Sequence, residues 1–218
     1  SVPAALTLGP IAGFEQLVSW TTVAQADDYE FAVARDAFFA VPWAHPRKIV
    51  AGALQTVLDG LSPNTGYQVR YRARRGAADS VSDWSASAIR TGPAPADTAF
   101  WFEVPDVAAS AQGSDGQGVT LKLPAGSFAV PLTISARRLA EPPTFSSILN
   151  PSLTGQAVQF GPALTLADQP ADITLPHRPS AFPTKINHWL NGQWQALATS
   201  ISGTVLTAPV SQLGLFAP

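Results

Sequence analysis

The run 58–75, LDGLSPNTGYQVRYRARR, limits the possible folds more than any other stretch of the chain. Pro63, Asn64 and Gly66 bring turn chemistry together: a fixed φ, a side chain that bonds its own backbone, and tolerance of positive φ. From Tyr67 the pattern changes to strict alternation. Tyr67, Val69, Tyr71 and Ala73 fall on one face, and Gln68, Arg70, Arg72 and Arg74 on the other. A period of two is that of a half-buried strand. Such a strand needs a second layer over its apolar face, and the expected architecture is a β-sandwich.

Composition narrows the rest. The chain has 218 residues, enough for one large or two ordinary domains. Charged residues make up 13%, against about 25% in typical soluble domains. The net charge of −2 shows no excess that would mark a nucleic-acid or anionic-lipid partner. Low charge near neutrality also favours association. The absence of cysteine excludes disulfides, thiolate metal sites and cysteine nucleophiles. Methionine is absent even at position 1, so a processed or trimmed N-terminus is expected, and signal-peptide removal is one explanation of it. No apolar stretch approaches the roughly 20 residues of a membrane-spanning helix. Twenty prolines and sixteen glycines, scattered among Thr, Val and Leu, point to an all-β protein of short segments.

The first module is expected over residues 1–92. Residues 4–8 are a short strand candidate closed by Gly9-Pro10, and 15–22 alternate around a candidate core anchor, Trp20. Residues 29–35 alternate next. A long irregular segment leads to 54–58, the turn, the opening strand, and finally 84–91. This order, with Trp20, Tyr29, Leu61-Ser-Pro-Asn-Thr-Gly-Tyr67 and Trp84-Ser85, resembles the fibronectin type III module. The resemblance implies that Leu61 plugs one end of the sandwich and that the Tyr67 hydroxyl pins its strand to the preceding turn.

Two features of this module invite a functional reading. Arg70, Arg72 and Arg74 share a face, and Ser82-Asp83-Trp84-Ser85 lies on the next strand. The pair resembles half of the Trp-Ser-x-Trp-Ser arrangement of cytokine-receptor sandwiches, which implies arginines stacked on Trp84. Such a stack contributes about 0.5–1 kcal/mol at an exposed site. The competing reading is a basic stripe for an acidic partner. In the stretch 37–50, broken by Pro42 and Pro46, Phe38, Phe39, Val41 and Trp43 crowd into six residues. A loop this apolar is unusual on a free surface, so these four form a candidate protein–protein contact. The alternative is that two of the four belong to the adjoining edge strand and pack inward. His45 reads as a loop histidine.

A Pro/Ala linker, 93–98, leads to a second module over 99–218. Residues 99–104 form a strand candidate. The stretch 108–118 reads as a flexible loop; its glycines lack the helix of a phosphate site, and Asp115 lacks partners at calcium-loop spacing. Alternation resumes in 118–138 and in short segments beyond. Asn191-Gly192 between two apolar runs is a strong hairpin signal. Gly118-Val-Thr-Leu-Lys-Leu-Pro-Ala-Gly126, Gly161-Pro-Ala-Leu164, Ile173-Thr-Leu-Pro-His177, Trp189, Trp194 and Val210-Ser-Gln-Leu-Gly-Leu-Phe216 together resemble, in divergent bacterial form, the domain named for zonula occludens proteins and Unc-five netrin receptors. Some members of that family cut themselves at a His-Phe/Leu-Ser/Thr step. The matching positions here are Gln212-Leu213-Gly214, so the resemblance implies no self-cleavage.

Three histidines, His45, His177 and His188, share no metal-ligand spacing, and neither G-x-S-x-G nor H-E-x-x-H occurs. The expectation is all-β: two β-sandwich domains in tandem, joined by a short Pro-rich linker, non-enzymatic and without a cofactor or metal. The expected role is an extracytoplasmic bacterial structural or adhesion protein, secreted or at the cell surface. It would be a self-associating subunit of a filament or layer whose partner is itself or another surface protein. Besides the apolar loop, the expected contacts are the chain ends, 2–8 with Leu6 and 213–216 with Leu213, Leu215 and Phe216, able to pair with sheet edges. The alternative is a carbohydrate-binding or spacer part of a secreted polysaccharide-active enzyme. Trp189 and Trp194 would then form a sugar platform for a polysaccharide partner, with Trp43 a third candidate. An unrecognised hydrolase is the reading from a third class.

Overall fold

The structure is a computed structural model that describes residues 3–45, 48–76, 80–140, 155–167, 169–178 and 184–218. Every regular element among the described residues is a strand. The chain divides into two units, Ser1–Pro95 with Val130–Thr133, and Ala96–Ala129 with Ile134–Pro218.

The first unit contains β1 (Thr7–Ile11), β2 (Gln16–Ser19), β3 (Asp28–Ala34), β4 (Lys48–Ala51), β5 (Gln55–Leu58), β6 (Gly66–Arg75), β7 (Ser80–Val81) and β8 (Ser85–Arg90). One sheet runs β1-β2-β5. The other runs β4-β3-β6-β7, with β8 also paired to β6. Strand β6 alternates buried and half-buried along its length, as its sequence dictates. The core lies between the sheets: Val18 and Leu58 from one, and Phe31, Val33, Val69 and Tyr71 from the other. Trp20 is buried here with its ring centroid 4.8 Å from Phe31 and 5.2 Å from Tyr29. Leu61 is fully buried, and the Tyr67 hydroxyl accepts a 2.7 Å bond from the Ser62 N–H. Strand β3 is buried on both faces, which places Glu30 in the interior; Arg72 Nε and Nη2 meet its carboxylate at 2.9 and 2.8 Å. Gly9-Pro10 does not close the first strand but lies inside β1, where the register breaks between Leu8 and Ile11. An outer strand tolerates a proline because no ladder bond is lost on its open side.

The second unit contains β9 (Thr98–Val104), β10 (Ala111–Ser114), β11 (Thr120–Leu123), β12 (Leu132–Arg138), β13 (Val158–Gly161), β14 (Ala171–Pro176), β15 (Asn187–Leu190), β16 (Gln193–Ala196), β17 (Ser200–Ser202), β18 (Val205–Val210) and β19 (Leu215–Ala217). Its two sheets run β10-β11-β14-β18-β17 and β16-β15-β19-β13-β12-β9. Leu121, Ile173, Leu175 and Leu206 from the first sheet, and Ile134, Phe160 and Phe216 from the second, are fully buried. The Phe160 ring lies 6.3 Å from Phe100 and 5.9 Å from Phe216.

The stretch expected as a flexible loop, 108–118, instead carries β10 and an ordered turn. A Cβ at Gly113 would lie 2.4 Å from both Phe100 and Phe102, so this glycine marks a close approach of side chains, not a loose backbone. Asp115 closes the turn by accepting from the Gln117 and Val119 N–H groups at 2.7 and 3.0 Å, and it pairs with Arg138. Asn191 and Gly192 both adopt positive φ, 51° and 79°, and join β15 to β16. Pro209 and Val210 end β18, and β19 begins at Leu215 in the other sheet.

Candidate contact surfaces

The apolar loop after β3 is built around Asp36. Its Oδ1 accepts from the N–H groups of Phe38 and Ala40 at 2.9 and 3.1 Å, and Oδ2 accepts from Val41 at 3.5 Å. The bond from the Ala40 N–H is the main cause that holds this carboxyl below its ordinary value. Phe39 takes a positive φ of 56°, and the Arg70 guanidinium lies 4.3 Å from the centre of its ring. Trp43 turns inward. It is buried, its Nε1–H donates to the Gly60 carbonyl at 3.0 Å, and the Arg35 guanidinium covers its ring at 3.7 Å. Trp43 therefore does not belong to the exposed contact patch or to a sugar platform. A large ring with one N–H is best placed where its area is buried and its donor finds a carbonyl. Phe39 is half-buried, whereas Phe38 is 91% exposed and Val41 57% exposed.

The arginine face is a ladder. Arg70 and Arg72 lie 4.6 and 4.4 Å from the centre of the Trp84 ring. With Phe39 on Arg70 and Glu30 on Arg72, the order is Phe39–Arg70–Trp84–Arg72–Glu30. Arg74 is not part of it, because its Nε faces Asp28 at 3.4 Å instead. Registry explains the split: Asp28 is the cross-strand partner of Arg74, and Glu30 that of Arg72.

Neither chain end is a free strand. Leu6 is half-buried against the first unit's core, and the Ala4 carbonyl accepts from the Tyr71 hydroxyl and from Ser85 Oγ. Residue 2 lies outside the described residues. Leu213 and Phe216 are fully buried and Leu215 is half-buried. Strand β19 sits inside its sheet between β15 and β13, so its backbone groups are engaged on both sides. The expectation of adding to another chain's sheet edge is corrected for Leu213, Leu215 and Phe216, whereas β1 remains the outer strand of its sheet.

Trp189 and Trp194 are cross-strand partners in the β15–β16 hairpin. Their rings meet edge to face, 5.2 Å apart at 65°, which is an aromatic pair and not a coplanar platform. They lie on the outer face of the sheet, since His188, next to Trp189 on β15, is buried and stacks on Phe216 at 4.2 Å. His188 Nε2 has no hydrogen-bond partner, and burial pushes its pKa down. Gly214 leaves room for that ring, since a Cβ there would lie 2.9 Å from Nε2. His45 meets Asp59 at 2.9 Å, and His177 Nδ1 lies 3.0 Å from the Arg178 carbonyl. Among the described residues no group of three His, Asp or Glu side chains is placed to hold a metal.

Sequence reading missed the Asp36 cap, the Arg35–Trp43 stack and the Arg137–Asp97 pair. The aspartate followed two residues later by apolar residues was the one local signal for the first. The others depend on strand pairing.

No family model and no curated protein matches the chain. Among solved structures, the chain is similar to a computer-redesigned β-sandwich protein, at 20% identity and a TM-score of 0.35, over 43% of this chain and 96% of that one. It is also similar to the fn3 domain of human contactin 1, at 21% identity and a TM-score of 0.33, over 43% of this chain and 81% of that one.

Proposed function

We propose that the chain is a non-catalytic structural or adhesion protein of the bacterial exterior, and that it associates with copies of itself through the loop displaying Phe38. The observation that carries this reading is the enforced exposure of that ring. Asp36 fixes the loop backbone, Phe39 is held under Arg70, and Trp43 anchors the far side. Phe38 is thereby left 91% exposed. A rigid loop loses little entropy on docking, and an exposed aromatic is the residue type that dominates contact energies. The low charge of the chain leaves copies with little mutual repulsion.

Within the same reading the first unit is a fibronectin type III module, supported by buried Leu61 and the Tyr67–Ser62 bond. The second is a divergent relative of the zonula occludens/Unc-five sandwich, in which Gln212 and Gly214 leave self-cleavage without a base or a nucleophile. The test is the quaternary state of the full chain beside Phe38→Asp. Concentration-dependent assembly that the substitution abolishes supports the reading, and a wild-type chain that stays monomeric at high concentration overturns it.

A further inference from the structure

The six-stranded sheet of the second unit carries one continuous row of side chains across its outer face. Cross-strand pairing sets Trp194 opposite Trp189, Trp189 opposite Leu215, Leu215 opposite Gln159, and Gln159 opposite Arg137. Four strand steps of about 4.8 Å make this row roughly 19 Å long. On β9, which borders β12, Phe100 and Phe102 lie against Gly113 of the facing sheet, so alternation turns Trp101 to this same outer face. Trp101 is 42% exposed. The face thus has indole rings toward both edges of the sheet, with Trp101 four residues along the chain from the Asp97 that meets Arg137 at the end of the row.

We propose that this outer face binds an uncharged polysaccharide, laid across the strands from Trp194 and Trp189 toward Trp101. Sugar rings present apolar C–H faces and a rim of hydroxyls that donate and accept. Half-buried indoles supply the surface for the first. Gln159 offers a donor and an acceptor. Arg137 holds Asp97 through Nε at 3.1 and 3.2 Å and through Nη2 at 2.8 Å, which fixes both groups in place for hydroxyl contacts. Charge selects the class of ligand. The guanidinium and the carboxylate cancel, and Arg137 keeps Asp97 ionised by pulling its carboxyl below the ordinary value. The alternation that turns Trp101 outward also turns Glu103 to this face, so the face is slightly negative, which disfavours an anionic polymer and leaves a neutral one. The row is also longer than a single sugar, which favours a chain over a monosaccharide. The competing role for Trp189 and Trp194 is hairpin stabilisation alone, the usual work of a cross-strand aromatic pair.

The full chain is run in affinity gels containing mixed-linkage β-glucan, xylan, galactomannan or alginate, and its tryptophan fluorescence is titrated with each. Retardation by at least one of the three neutral polymers, and not by anionic alginate, is expected. Gln159→Ala and Trp101→Ala should each weaken that retardation about two- to tenfold. Thermal unfolding of both variants should match wild type, since both residues lie at the surface. Phe38→Asp should leave retardation unchanged, which separates this site from the self-association loop. The proposal is overturned if no neutral polymer retards the chain, if alginate retards it as strongly, or if retardation survives Gln159→Ala and Trp101→Ala intact.

Discussion

Phe38 and Trp43 belong to one loop and have opposite environments, and the difference lies in single contacts. Trp43 has an acceptor for its N–H in Gly60 and a cation over its ring in Arg35. Trp43→Ala should therefore cost about 3–5 kcal/mol, as for other buried aromatics; a chemical-denaturation difference below about 1 kcal/mol would contradict that placement. Asp36 acts on the backbone. Asp36→Ala removes the acceptor of three N–H groups, and amide exchange at Phe38, Ala40 and Val41 should accelerate while the β6 amides stay protected. Because its folded pKa lies below the ordinary 3.8, this cap is fully present above that value and is lost only as pH falls through the lower folded one. His188 has its own sign. Its folded pKa lies below 6.5, so neither state is protonated well above that pH. As pH drops below 6.5, the unfolded chain takes up a proton that the folded one resists, and stability declines toward the folded pKa. Urea midpoints should fall between about pH 7.5 and 5.5 in wild type, and His188→Phe should flatten that part of the slope. An unchanged slope would place the titration elsewhere.

At the scale of elements, what was legible in the sequence was local. The alternation of β6 and the Asn191-Gly192 turn depend on neighbours in the chain, and both read directly. Strand β10 did not. Its glycine looks like loop composition, yet Gly113 is there because Phe100 and Phe102 occupy the space a side chain would need. Gly113→Val should cost about 1–3 kcal/mol or more through that overlap, and a neutral result in thermal melts would mean the facing sheet can move aside. The position of β19 was also hidden. Its partners β13 and β15 are brought to it only by folding, so apolar Leu213, Leu215 and Phe216 read equally well as a free end. Arg74 misled for the same reason: its face was readable, but its partner Asp28 depends on the β3–β6 register. Within the apolar loop, the sequence could not say which ring faces out: Phe38 does and Trp43 does not.

For the whole molecule, the low charge that sequence composition reports and the Phe38 ring that the loop displays bear on one question, whether copies of the chain meet. A single exposed aromatic contributes a contact only when a partner surface covers it, and a change of that ring to a charge should disrupt assembly without touching either core. Phe38→Asp is therefore expected to leave unfolding cooperativity intact and to alter association alone. Sedimentation velocity over a wide concentration range is the most direct measurement. The prediction is a wild-type sedimentation coefficient that rises with concentration, beside a Phe38→Asp chain that stays at the monomer value. A wild-type chain that sediments as a monomer at every concentration would contradict it.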